Sequence, residues 1–293
     1  MKLIETAEYR GMRQTKPHDL GQPSGNISVP LLLTHVKVEK YSLPMRPALF
    51  MHTQKTAGSS ILDMAKQAYG KRNVFGFDQH SRQSLDACAS VPFLSGHFGF
   101  EFARHFMTDR YSFTFLRDPI ERVLSLYSHM IWWPEGVLDI ADAAKQAGFA
   151  GFLQAPQFRT FVWNNQVFQL AYGWYANSVG SKKKHVEDFT SEDLLDRAVR
   201  NLARFDYVGF VDTIDTDART IFRDLGWDTQ AVSHTNVIPR SVVLADLSDS
   251  DLAMLHAVTA LDQRLLEYAK RTYARPSPTP VSNTPPPAFS SYP

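Results

Sequence analysis

The chain of 293 residues has one cysteine, Cys88, and no long apolar run near its start. A single cysteine excludes an intrachain disulfide and favours a reducing compartment. The longest apolar run in that region, residues 29–33, is far shorter than the roughly 18 residues that a membrane span needs, and no secretory signal pattern accompanies it. We therefore expect a cytoplasmic protein that does not work in a membrane.

Neither sign of charge is in excess. The 31 lysines and arginines against 30 aspartates and glutamates give a formal charge of +1, so nothing global indicates a nucleic-acid partner or a membrane surface. A hydrophobic fraction of 44% and a charged fraction of 21% are typical of an ordinary globular protein. The length allows one large domain or two small ones.

Residues that break regular structure concentrate at the two ends of the chain. Residues 1–44 carry several prolines and glycines, which predicts an irregular N-terminal arm. Residues 276–293 hold seven of the 17 prolines, which predicts a disordered tail. Residues 45–275 remain as the predicted working domain.

Within this domain, short apolar runs alternate with helical patterns. The predicted strands are Ala48–Met51, Ser90–Leu94, Tyr111–Leu116 and Tyr207–Val211. The predicted helices are Ile61–Tyr69, one that starts at Pro119 and ends near Pro134, Ser191–Phe205, Asp215–Leu225 and Ser248–Tyr273. Residues 137–185 are less periodic, so no element is predicted there. Strands that alternate with helices predict an α/β fold with a mainly parallel central sheet and helices on both faces.

The first strand leads through a turn of small residues into a helix, which is a common way to build a phosphate site. Backbone N–H groups at a helix start have no intrahelical partner, and the helix dipole adds partial positive charge there. Gly58 lets the backbone approach an anion closely, and Lys55 adds a full positive charge. The predicted anion loop consists of Lys55, Thr56, Ala57, Gly58, Ser59 and Ser60.

A second junction of this kind follows the strand at 111–116. Asp118 is suited to be the N-cap of the next helix, Pro119 its first residue and Glu121 the third, a capping-box arrangement. Arg117 precedes the helix and can hold a phosphate with two hydrogen bonds, and Ser125 lies two turns along on the same side. Because parallel strands end at one edge of a sheet, both junctions meet there. Together they predict a nucleotide with phosphates at both ends.

The segment HTQKTAGSS at residues 52–60, followed by FTFLRDPIERVLSLYSH at residues 113–129, resembles the sulfotransferases. The similarity is to the heparan sulfate 2-O- and 6-O-sulfotransferases and their bacterial relatives. It continues more weakly through SGHFGF, the NNQ segment and YVGFVDTIDTDARTIFRDLGW, and so spans most of residues 47–272.

This resemblance implies a P-loop-like three-layer α/β/α fold and a sulfate donor, 3′-phosphoadenosine 5′-phosphosulfate (PAPS), with 3′,5′-ADP as the product. It places the phosphosulfate on the residues from Lys55 to Ser60 and the 3′-phosphate on Arg117 and Ser125. The implied partner is an acceptor that bears a hydroxyl or an amine, a carbohydrate or another small molecule. No metal ion is required.

Sulfuryl transfer is an in-line displacement at sulfur, so it needs a base for the acceptor's proton and positive charge at the departing phosphate. Lys55 is the candidate for the charge; the alternative is that it only neutralises bound phosphate. His97 is the candidate base, since an imidazole titrates near neutral pH and the resemblance implies a histidine here. Glu101 is the reserve, because other sulfotransferase branches use a glutamate. His97 could instead be a core or loop histidine, and His52 is expected to support the loop.

The acceptor contacts follow less directly from the sequence. Aromatic and basic side chains that could line a cleft or attract an anionic acceptor are Trp132, Trp133, Trp163, Trp174, Arg159 and Lys182–Lys184. Residues that could close over the nucleotide are Asn164, Asn165, Asn236 and Arg240.

Two other functions remain open at this point. A P-loop kinase or NTPase needs GxxxxGK[ST], but here Lys55 precedes Gly58 and the chain contains no GK[ST]. A non-catalytic nucleotide-binding or scaffold protein of the same fold would bind the nucleotide without turnover. A transfer assay with PAPS and EDTA separates the kinase from the sulfotransferase, and turnover separates the enzyme from the binding protein.

Overall fold

The computed structural model describes residues 45–173, 186–229, 232 and 241–275. The predicted N-terminal arm and proline-rich tail lie outside these residues, as do Trp174, Lys182–Lys184, Asn236 and Arg240. None of the helices described combines the length and the apolar character that crossing a lipid bilayer requires.

The described part of the chain contains a five-stranded sheet in which every strand pair is parallel. Its strands are β1 Ala48–Met51, β2 Val74–Phe75, β3 Phe93–Gly96, β4 Tyr111–Leu116 and β5 Tyr207–Phe210. They lie in the order β2-β3-β1-β4-β5, with β1 in the centre. The predicted parallel α/β fold is therefore confirmed.

Helices cover both faces of this sheet. Those in the described residues are α1 Gly58–Tyr69, α2 Leu85–Ser90, α3 Phe100–Ala103, α4 Pro119–Trp132, α5 Asp139–Gln154, α6 Arg159–Val162, α7 Asn165–Ala171, α8 Ser191–Leu202, α9 Ile214–Asp224 and α10 Asp249–Tyr273. Together with the sheet they form the three layers of a P-loop-like α/β/α fold.

The central strand β1 shows why the chain folds this way. All four of its residues are buried, as expected for a parallel strand that is covered on both faces. Leu49 and Met51 point into the apolar cluster with α7, α8 and α10. Ala48 and Phe50 point to the opposite cluster with α1 and α9. Because β1 ends at Met51, the loop that follows lies at the carboxyl edge of the parallel sheet.

The prediction of a strand at Ser90–Leu94 is wrong in its bounds. Residues 85–90 form α2, whose N-cap is Ser84, since its hydroxyl accepts a hydrogen bond from Ala87 N. Pro92 holds the preceding Val91 in extended backbone and so separates the helix from the strand. The strand β3 begins only at Phe93.

The region from 139 to 171 is helical, although its sequence is not clearly periodic. The helix α5 contains Gly148 with φ 66° and ψ −179°, a kink that interrupts its helical repeat. The helices α6 and α7 have four and seven residues, which is too short for a periodic pattern to stand out.

Candidate active site

The loop between β1 and α1 has a strained backbone. Lys55 and Ala57 have φ values of 66° and 65°, in the left-handed region that non-glycine residues avoid. Each such residue costs roughly 1 to 3 kcal/mol and persists only where its surroundings enforce it. Here Thr56 enforces it, since its hydroxyl donates to the Thr53 carbonyl at 2.7 Å and its N–H donates to the same oxygen at 3.3 Å. Turned backbone of this kind exposes successive N–H groups to one side and forms anion-binding concavities.

The start of α1 carries no side-chain cap. Its N-cap residue is Ala57, which has no side-chain oxygen to accept from the first N–H groups of the helix. Gly58 follows, and a Cβ at this position would lie 1.8 Å from Cε1 of His52. Glycine is therefore required here because the imidazole of His52 covers the helix start.

His52 is buried against the loop and is held in its neutral form. Burial, and then the charges of His97 and Lys55, lower the pKa of His52 well below its usual value. Gln169 donates to the carbonyls of His52 and Phe98 at 3.1 and 2.9 Å, and so joins the ends of β1 and β3. His52 Nδ1 is buried with no hydrogen-bond partner among the described residues. The contacts fit the predicted role of His52 as a support of the loop.

His97 follows the neighbouring strand β3 and faces the same loop. Its ring centroid lies 4.6 Å from that of His52, and its Nδ1 lies 3.4 Å from Oδ1 of Asp78. Burial alone would raise the pKa of Asp78, but the neighbouring His97, with His80 and Arg82, holds it below the usual value. Asp78 is therefore an ionised carboxylate beside Nδ1. No sequence pattern predicts this pair, because the helix α2 and the strand β3 separate the two residues along the chain.

Glu101, the reserve base, has different neighbours. Its Oε1 lies 3.0 Å from Nη2 of Arg197, and its Oε2 lies 3.3 Å from Nε of Arg104. It is also not among the residues that line the cavity described below. The contacts of Glu101 are those of a carboxylate that holds α3 to α8.

The second predicted anion loop begins at the end of β4. Asp118 caps α4, since its Oδ1 accepts from Glu121 N at 2.9 Å, and Pro119 opens the helix. Arg117 Nη1 donates to the carbonyl of Lys55 at 3.0 Å, while Nη2 lies 3.7 Å from Oε2 of Glu121. One guanidinium therefore connects the two predicted anion loops directly.

The backbone of Arg117 is fixed by a side chain from α7. Gln166 accepts from Arg117 N and donates to Arg117 O, both at 3.0 Å. Gln166 is itself held by Asp262 of α10, whose carboxylate accepts from Gln166 N at 3.3 Å and from Val167 N at 2.8 Å. Because Asp262 is fully buried, its pKa rises to about 6, although Arg122 opposes the rise. The position of Arg117 thus depends on the packing of α7 and α10.

The two asparagines predicted to close over the nucleotide have other partners. Asn164 Oδ1 accepts from the backbone N–H groups of Leu261 and Asp262, at 2.9 and 3.3 Å. Asn165 Nδ2 donates to Thr160 O at 2.9 Å. In the described residues, these two side chains join α7 to its neighbours, whereas Gln166 reaches Arg117.

Ser125 lies on α4 one turn after Glu121, the partner of Arg117, and one turn before His129. It is half-buried. The same stripe of the helix therefore passes from the second anion loop to a cavity that contains His129.

This cavity lies between the first anion loop and α4, with a volume of about 70 Å³. That volume would hold on the order of five water molecules, enough for part of a small acceptor. Its polar lining consists of His52, Gln54, Lys55, His97 and His129. Its apolar lining consists of Phe77, Leu126, Met130, Trp133 and Leu138.

Of the aromatic candidates for acceptor contacts, Trp133 lines the cavity, whereas Trp132 is 59% exposed and does not. Trp163 donates to Leu153 O at 2.8 Å, and Arg159 stacks over its ring at 4.6 Å. Trp163 and Arg159 thus pack on each other and are absent from the lining of this cavity.

The model of the sulfotransferase family matches residues 44–275, most of the chain. The chain therefore belongs to the sulfotransferase family. A comparison with curated proteins finds no match.

Proposed function

We propose that the protein transfers the sulfuryl group of PAPS to a hydroxyl or an amine of an acceptor. One contact carries the proposal most directly, the hydrogen bond from Arg117 Nη1 to the carbonyl of Lys55 at 3.0 Å. It brings two anion loops together at one edge of the sheet, as a nucleotide with a 5′-phosphosulfate and a 3′-phosphate requires.

The residues of the first loop fit a phosphosulfate. Positive φ values at Lys55 and Ala57, a helix start without a side-chain cap and a glycine at position 58 all favour close approach of an anion. The residues assigned to this group are Lys55, Thr56, Ala57, Gly58, Ser59 and Ser60. Arg117 and Ser125 are assigned to the 3′-phosphate.

PAPS supplies an activated sulfuryl group: the acceptor oxygen bonds to sulfur as the bond from sulfur to the phosphate oxygen breaks, and that electron pair leaves with 3′,5′-ADP. His97 takes the acceptor's proton. With Asp78 beside Nδ1, this role falls to Nε2. The ammonium of Lys55, which lines the same cavity, stabilises the charge that develops on the phosphate.

Asp78 is a positioning residue in this mechanism. A carboxylate beside Nδ1 fixes the orientation of the imidazole and favours the tautomer with the proton on Nδ1, so that Nε2 carries the lone pair. It also stabilises the imidazolium that forms after proton transfer.

The proposal is tested by transfer of radiolabelled sulfate from PAPS into a cell extract and a panel of phenols, sugars and lipids, with EDTA present. The His97→Ala variant should lose on the order of 10²–10⁴ in rate, the usual contribution of a general base, and should still bind 3′,5′-ADP. The control is His105→Ala, because His105 is exposed and absent from the cavity lining.

Near-normal turnover of His97→Ala would remove His97 from the mechanism. Phosphate transfer from ATP that stops with EDTA would favour the kinase. Binding of 3′,5′-ADP with no transfer to any acceptor would favour a binding protein.

A further inference from the structure

The wall of the cavity that faces the first anion loop is mainly apolar, although His129 of α4 also lines it. Leu126 and Met130 lie on α4 and Trp133 directly follows it, with spacings of four and three residues, so the three line one side of this segment. Leu138, just before α5, and Phe77, after β2, extend the same surface. All five belong to, or pack against, the apolar clusters of the core.

The polar side of the cavity contains few permanently charged side chains. Of the lining residues that the structure describes, Lys55 alone is a lysine or an arginine. Burial and nearby charges keep His52 neutral by lowering its pKa. In the proposed function Lys55 is already engaged by the phosphosulfate, and Arg117 is turned toward the Lys55 carbonyl and Glu121.

These surroundings do not favour the binding of an anionic acceptor. Carboxylate and sulfate groups are normally bound by arginines and lysines, with two hydrogen bonds from each guanidinium in the best cases. When such a group leaves water for a surface of leucine, methionine and tryptophan side chains without a hydrogen-bonding partner, the lost hydration free energy far exceeds the free energy gained from the contacts. An uncharged ring or aliphatic group gains free energy from the same contacts.

We propose that the acceptor group entering this cavity is an uncharged, apolar one, a phenol or an alcohol on an aromatic or aliphatic skeleton, rather than a carboxylated or sulfated saccharide. The inference rests on the proposed function, because it takes the hydroxyl beside His97 to be the one that is sulfated. Trp133 and Met130 are the residues that set this preference.

The test measures equilibrium binding by calorimetry on the protein saturated with 3′,5′-ADP. Three probes are compared: 2-naphthol, its anionic analogue 6-hydroxy-2-naphthoate and a heparan sulfate hexasaccharide. We expect 2-naphthol to bind at least about tenfold more tightly than either anion, since the carboxylate loses hydration without gaining a partner.

Variants at adjacent tryptophans supply a matched pair. Trp133→Ala should weaken 2-naphthol about tenfold, whereas Trp132→Ala should change it less than about twofold, because only Trp133 lines the cavity. Trp133→Arg should raise the ratio of the affinity for 6-hydroxy-2-naphthoate to that for 2-naphthol about tenfold above the wild-type ratio. Trp132→Arg should leave this ratio unchanged. Unchanged affinity for 3′,5′-ADP shows that each variant is folded.

The inference is overturned if the hexasaccharide or the naphthoate binds as tightly as 2-naphthol, or if Trp133→Ala leaves 2-naphthol binding unchanged. Failure of the proposed function has a different signature. In that case 3′,5′-ADP does not bind. Alternatively, 2-naphthol binds and its binding depends on Trp133 as expected, but labelled PAPS yields no sulfated 2-naphthol.

Discussion

Substitution of Gly58 by alanine tests how the first anion loop is built. In the present structure the new Cβ would lie 1.8 Å from Cε1 and 1.9 Å from Nε2 of His52. Ordinary contacts between such atoms are about 3.5 Å or longer, so the imidazole must move by more than about 1 Å. Its ring centroid lies 4.6 Å from that of His97, so the movement reaches the proposed base.

Two opposing effects set the expected stability of Gly58→Ala. Alanine is favoured over glycine within a helix by about 1 kcal/mol. Insertion of a methyl group into a packed site costs about 1 to 3 kcal/mol, and here it meets the ring of His52, a buried residue. We therefore expect a net loss of roughly 0 to 2 kcal/mol in the free energy of unfolding, measured by urea titration.

The effect on activity should exceed the effect on stability. A displacement of about 1 Å in an active site lowers the rate by about 10²-fold, so kcat/KM for sulfuryl transfer should fall by about this factor while the protein remains folded. The control is Gly173→Ala, since a Cβ at Gly173 meets nothing within 4 Å in the described residues.

A double variant isolates the clash. If His52 is the group displaced, His52→Ala by itself should lower the free energy of unfolding. The double variant, His52→Ala with Gly58→Ala, should then lose less free energy of unfolding than the two single losses added together. Wild-type stability and wild-type kcat/KM in Gly58→Ala would refute this description of the loop, as would strict additivity in the double variant.

Three further predictions concern the base, the 3′-phosphate loop and a buried histidine. Asp78→Asn removes the carboxylate 3.4 Å from His97 Nδ1, so kcat should fall by up to about 10²-fold and its pH profile should shift, while KM for PAPS stays constant; Asp63→Asn, on the outside of α1, should change neither. Arg117→Lys loses the forked donor, so affinity for 3′,5′-ADP should fall about tenfold while affinity for 5′-AMP stays unchanged; equal losses for both nucleotides would contradict the assignment of Arg117 to the 3′-phosphate. Burial lowers the pKa of His80 from 6.5 to about 4, so on acidification the unfolded chain binds a proton at this residue before the folded chain does. The free energy of unfolding should therefore fall by about 2 kcal/mol from this residue as the pH drops from 7 to 5. In urea titrations, His80→Asn should reduce this pH dependence by that amount, whereas His105→Asn, at an exposed residue, should not.

The elements that were predicted well are those encoded by neighbouring residues. Asp118, Pro119 and Glu121 define the start of α4 within four positions, and the hydrogen bond from Glu121 N to Asp118 confirms the cap. A capping box would also bring the Glu121 carboxylate back to the N–H of Asp118, whereas one oxygen of this carboxylate lies 3.7 Å from Arg117 Nη2. The strand Ala48–Met51 was identified from its apolar run, and the structure has the same bounds.

The parts that sequence reasoning missed depend on contacts between distant residues. Gln166 and Asp262, which fix Arg117, lie 49 and 145 positions away from it along the chain. The pair of Asp78 and His97 forms only when β2 and β3 lie side by side. No spacing rule within a single segment indicates such pairs, so the support of both proposed phosphate sites became visible only in the folded chain.

We propose that the two joined loops bind one nucleotide with phosphates at its 3′ and 5′ ends and that a sulfuryl group, not a phosphoryl group, is transferred. The most direct measurement follows sulfur-labelled PAPS and phosphorus-labelled ATP in parallel reactions of the wild-type protein with 2-naphthol and with a cell extract. We predict that the sulfur label enters an acceptor in an amount equal to the 3′,5′-ADP released, and that no phosphorus label enters an acceptor. Transfer of phosphorus label, or release of 3′,5′-ADP without any labelled acceptor, would contradict it.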